Sequence, residues 1–142
     1  MEINIPGRKS ATKALIEAGA KFLAKELKLE NSTYRLDILT EPGMSKNEGI
    51  RGVVHKLGPR YLAMIIDSKL DYERLLVTLS HEMVHVKQYA KGQVKASRSC
   101  KTHYWMGKQV RKGYYEQPWE IEAYSKERVL ANKMFAVINR RK

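Results

Sequence analysis

Apolar residues recur at two periods along this chain and divide it into helices and strands. Between residues 10 and 29, Ala14, Leu15, Ala18, Phe22, Leu23 and Leu27 fall at helical spacing, behind Ser10 as an N-terminal cap. Gly19, midway along, marks a place for close packing against another element. Glu30-Asn31-Ser32 breaks the helix, and Tyr34, Leu36 and Ile38 then alternate with polar positions from Thr33 to Leu39, as in a half-buried strand. Thr40 to Gly49, with Pro42 and Gly43, reads as turns that carry no core. Gly52 to Leu57 and Tyr61 to Ile66 form a predicted hairpin about Gly58-Pro59, with His55 as a surface or packing residue.

A second helix starts at Ser68 to Asp71, capped by Ser68 or Asp71, and runs to about Ala90. On a 3.6-residue wheel, Leu75, Leu79, Met83, Val86 and Ala90 make an apolar face. Val77, Thr78, His81, Val84, His85 and Gln88 lie almost opposite. Such a helix must be covered on both sides. Past Lys91-Gly92 the chain is polar and basic to Lys101, with a short strand expected around Tyr104-Trp105-Met106 and a loop at Gly113 to Tyr115. Pro118 then opens a last helix that continues past Ile138. This order predicts an α+β fold in one domain spanning residues 1–142, without repeats or linkers.

Composition narrows the function classes. With 142 residues and 43% hydrophobic positions, the chain can close one core. Its longest apolar run, Leu62 to Ile66, is too short to span a bilayer, and the N-terminus has no signal-peptide pattern. Cys100 is the single cysteine, which excludes an intrachain disulfide and a cysteine zinc ribbon, so the default setting is the cytoplasm. The net charge of +12 fits either a solvated surface or a polyanionic partner, with non-specific contact to nucleic acid through that basic surface.

The candidate chemistry lies in His81-Glu82-Met83-Val84-His85. Histidines at i and i+4 stand one turn apart on one helix face, so both can reach one metal ion. Glu82, turned about 100° away, is placed to take a proton from a water that the metal activates. Zinc needs a third protein ligand. On the last helix, Trp119, Ala123, Leu130, Met134 and Val137 set the inward face, and Glu120 falls close to it. A carboxylate there demands a partner, because an unpaired buried charge is costly. Glu122, turned away, is the fallback ligand.

These residues resemble the gluzincin type of zinc metallopeptidase, which carries H-E-x-x-H and a later helix with a glutamate ligand. They are similar in particular to small phage and bacterial metallopeptidase-like proteins with H-E-x-x-H-x-x-Q, here His81 to Gln88, and P-W-E-x-E-A, here Pro118 to Ala123. The resemblance covers the chain from about Asp71 onward. It implies a zincin-like fold, one Zn²⁺ held by His81, His85 and Glu120, Glu82 as general base, and a protein or peptide substrate. It also implies an edge strand that pairs with the substrate, expected at Tyr61 to Ile66. Several gluzincins place an acidic residue four positions after the glutamate ligand; here that position is Tyr124. Tyr114, Tyr115 and His103 are the candidate transition-state donors. SprT-like proteins form a second branch, in which His103 would be the third ligand and DNA-bound proteins the substrate. A non-catalytic zincin-fold binding module is the other alternative.

Overall fold

The computed structural model describes residues 1–96, 102–110 and 117–140. In chain order the elements are β1 (Glu2–Asn4), α1 (Ala11–Glu26), β2 (Arg35–Glu41), α2 (Met44–Glu48), β3 (Gly52–Gly58), β4 (Tyr61–Asp67) and α3 (Tyr72–Ala90), followed by β5 (Val94–Ala96), β6 (His103–Trp105), β7 (Lys108–Val110) and α4 (Pro118–Arg140). The fold is α+β, as the patterning predicts. Ser10 caps α1 by accepting from the Lys13 N–H at 3.1 Å, and Asp71 rather than Ser68 caps α3, accepting from Arg74 N–H at 2.9 Å. Expected strands are present, with a three-residue β1 added at the N-terminus and β5 and β7 flanking the short strand expected near Tyr104. The expected loop at Gly113 to Tyr115 lies outside the described residues.

Two sheets form. The larger has the order β1-β2-β4-β3, with β1, β2 and β4 parallel and β3 antiparallel to β4. The smaller is an antiparallel meander, β5-β6-β7. Strand β4 is therefore interior, which corrects the expectation that Tyr61 to Ile66 is the edge strand; the terminal strands are β1 and, beside β4, β3. The reason is hydrophobicity: Leu62, Ala63, Met64 and Ile66 are all buried, as suits a strand covered on both faces. In β3 only Val54 is buried.

The core joins alternate residues of β2 and β4 (Leu36, Ile38, Leu62, Met64, Ile66) to Ile16, Ala20 and Leu23 of α1, and to Leu79 and Met83 of α3. Met134 brings α4 into the same cluster. Gly19 is where these helices meet. A Cβ there would lie 2.7 Å from Met134 Sδ and 2.8 Å from Leu79 Cδ2, so no larger residue fits without displacement.

The segment expected to carry no core does carry one residue: Met44, in α2, is buried. Asp67, the last residue of β4 and itself buried, holds it there. Its carboxylate accepts from the Gly43, Ser45 and Lys69 N–H groups, each at 2.9 Å, and from the Ser45 hydroxyl at 2.6 Å. The Asp67 N–H donates to Arg51 O at 2.9 Å, pinning the far end of the same loop. Burial alone would raise the Asp67 pKa, but the Ser45 hydroxyl and the three N–H groups outweigh it and hold the carboxyl well below its usual range.

Asp67→Ala is expected to cost about 2 kcal/mol in urea unfolding, because it removes the acceptor of three partly buried N–H groups. The folded carboxyl binds its proton more weakly than the unfolded one. Its contribution is thus complete above about pH 4 and is lost as pH falls below that value. Wild type should lose more stability than the variant between about pH 4 and about pH 2; parallel acid limbs would refute the assignment.

Candidate metal centre

Helix α3 is buried on both sides. Leu75, Leu79, Met83 and Val86 enter the core, while Thr78, His81, Glu82 and Gln88 are buried on other faces of the helix. Helix α4 and the start of β3 close over that polar side. The first turn of α4 brings Glu120 against the histidines. His81 Nε2 and His85 Nε2 lie 3.2 Å apart, and Glu120 Oε1 lies 3.1 Å from the first and 2.7 Å from the second. All three side chains are largely buried, at 11%, 14% and 6% exposure. His81, His85 and Glu120 are thus brought together as their periodicity predicts, and they form a group that can hold a metal ion.

The outer nitrogens are both engaged. His81 Nδ1 lies 2.8 Å from Glu127 Oε2, and His85 Nδ1 lies 2.8 Å from Gln88 Oε1. Both oxygens accept, so both Nδ1 atoms donate and both Nε2 atoms are turned to the centre. Tyr124 packs its ring edgewise on His81, with centroids 4.6 Å apart. Burial lowers the pKa of each histidine, but the hydrogen bond to Glu120 and the adjacent carboxylates, Glu82 foremost, reverse this and leave both raised. A metal ion entering this site displaces protons.

Glu82 is set apart from this cluster. It is 6% exposed, and its pKa is raised, chiefly by burial. Its chain lies under Gly52 at the start of β3: a Cβ at Gly52 would sit 2.9 Å from Glu82 Cγ and 3.3 Å from Oε2. Two hollows of about 310 and 340 Å³ meet here, sharing Ile50, Gly52, His81 and Glu82. The first extends past Val77, Tyr124 and Glu127; the second extends past Val54, Tyr89, His103 and Trp119. Together they make a groove that crosses the histidines beside β3.

The other sequence candidates fall elsewhere. Glu122 is committed to Lys87 at 2.6 Å, Lys126 at 2.8 Å and Gln88 at 2.9 Å, so it stands outside the donor group. His103 lines the groove with its ring 5.5 Å from that of Trp119, and it is not one of the clustered donors. Tyr114 and Tyr115 lie outside the described residues. His55 is exposed on β3. Sequence reasoning missed Glu127, Gln88 and Gly52. No protein-family model, curated protein or solved structure matches this chain.

Glu120→Ala is expected to weaken binding of a divalent transition-metal ion by more than about 100-fold, and Glu127→Ala by about 10–100-fold. Chelator competition at neutral pH measures both. Full affinity in the Glu120 variant would remove that residue from the ligand set.

Proposed function

We propose that this protein is a zinc-dependent peptidase with a zincin-like arrangement. The observation that carries the reading is one groove, beside a terminal strand, holding both three convergent donor atoms and a buried glutamate that has no hydrogen-bond partner among the described residues. Tetrahedral ligands about 2.0–2.1 Å from zinc stand about 3.3 Å apart. The separations of 3.2, 3.1 and 2.7 Å are close to that, with the shortest drawn in by the His85–Glu120 contact. Two imidazoles and one carboxylate leave the fourth position open, as catalytic zinc requires.

Bound zinc would supply Lewis acidity to a peptide carbonyl and make water acidic enough to attack it near neutral pH. The chain does the rest. Strand β3 offers unpaired main-chain groups to an extended peptide, which lies along the groove as an added strand. Glu82 accepts a proton from the attacking water and passes it to the departing amine. Its raised pKa, set by burial, brings it nearer to the working pH of a general base. Gly52 keeps β3 close without displacing that carboxylate.

Glu82→Gln should retain zinc and lose peptide hydrolysis by at least about 100-fold. Gly52→Ala should also retain zinc and lose much of the rate, because the added methyl displaces Glu82. Cleavage of a casein or a mixed peptide library follows both. Wild-type rates in Glu82→Gln would sink the mechanism.

A second reading has one observation in its favour. Residues 91–112 carry seven Lys and Arg and no Asp or Glu, and this stretch contains the β5-β6-β7 meander next to the groove. That composition suits nucleic acid as a docking partner, with a DNA-bound protein as the substrate. It predicts DNA binding that weakens at least about 10-fold between 50 and 200 mM salt; no binding at low salt removes it.

A further inference from the structure

Gln88 is fully buried, yet it has no place among the donors or in the proton transfer described above. Its amide bridges the two helices of the centre. Nε2 donates to Trp119 O at 2.9 Å and to Glu122 Oε1 at 2.9 Å, while Oε1 faces His85 Nδ1 at 2.8 Å. The orientation is determined by chemistry. A flipped amide would set its oxygen against a carbonyl and a carboxylate, both acceptors, and its NH₂ against the imidazole. Glu122 Oε2 also takes Lys126 Nζ at 2.8 Å. Lys87, buried at 6% exposure, reaches Glu122 Oε2 at 2.6 Å.

We infer that Gln88 is a positioning residue for the metal: Glu122 and the Trp119 carbonyl orient its amide, and its oxygen fixes His85 with Nδ1 protonated and Nε2 free to bind zinc. The inference rests on the zinc reading of His81, His85 and Glu120. It assigns work to two residues of the motifs outside the ligands and base, Gln88 in H-E-x-x-H-x-x-Q and Glu122 in P-W-E-x-E-A. His81 is served separately, by Glu127.

A residue that only ties α3 to α4 would make the same contacts, so the test separates the two roles. Gln88→Met removes the acceptor for His85 and the donors to α4. Gln88→Glu keeps an acceptor for His85 but sets a carboxylate against Glu122 and the Trp119 carbonyl. The two variants should therefore rank in opposite orders. Metal-free melting temperature should be lower for Gln88→Glu. Zinc affinity, by chelator competition on the intact chain, should fall about 10–100-fold in Gln88→Met and only a few-fold in Gln88→Glu. Equal losses of zinc affinity, or losses that follow the melting temperatures, would overturn the inference. If Gln88→Glu does not fold, Gln88→Met decides alone: affinity within two-fold of wild type refutes the role. A wild-type chain that takes up no zinc defeats the underlying metal reading, a result distinct from either of these.

Discussion

The constraint on which this structure turns is electrostatic. Glu120 and Glu127 contact two largely buried imidazoles, and Glu82 is buried beside them. With neutral histidines the cluster holds three negative charges, and burying them without compensation is prohibitive. Two protons, one on each histidine, would reduce the imbalance to a single charge, and the neighbouring carboxylates raise both histidine pKa values in that direction. One dication does the same with the protons removed. Either occupant relieves the same excess of negative charge.

That balance needs a rigid frame, and two close approaches supply it. Gly19 lets α1 pack closely against both α3, at Leu79, and α4, at Met134, the two helices that carry the donors. Gly52 lets β3 settle on α3 directly over Glu82. The loop ahead of β3 is anchored by Asp67, whose carboxylate holds Gly43 and Ser45 while its N–H holds Arg51. A buried carboxylate outside the donor group thus anchors the segment that forms the groove wall at Arg51 and Gly52.

The donors were readable because a helix has a fixed period. Residues 81 and 85 share a face by spacing alone, and Glu120 falls on the inward stripe of its own helix. Glu127 carries the same signal: seven residues past Glu120, it returns to nearly the same helix face, one turn beyond Tyr124. Gln88, three residues past His85, carried a similar signal. The rank of β4 was also in the sequence, since Leu62 to Ile66 is an unbroken apolar run and β3 is not. The rest was hidden for physical reasons. β1, β5 and β7 have three residues each, too few to show alternation. Met44 is one buried residue amid turn residues. Gly52 matters only because a distant helix lies beneath it, and no local pattern encodes that approach.

Charge is distributed unevenly in a way that bears on function. The chain is basic at +12, yet the groove is lined by Glu82, Glu120 and Glu127. A phosphodiester entering it would meet carboxylates at short range, where repulsion is little screened. A neutral peptide backbone meets no such barrier and can pair with β3. The basic surface, by contrast, acts over a Debye length and needs no shaped cavity to attract a polyanion. Under the peptidase reading, nucleic acid would serve as a scaffold that concentrates substrates while the groove acts on the polypeptide. On that reading the acidic centre and the basic exterior address different partners.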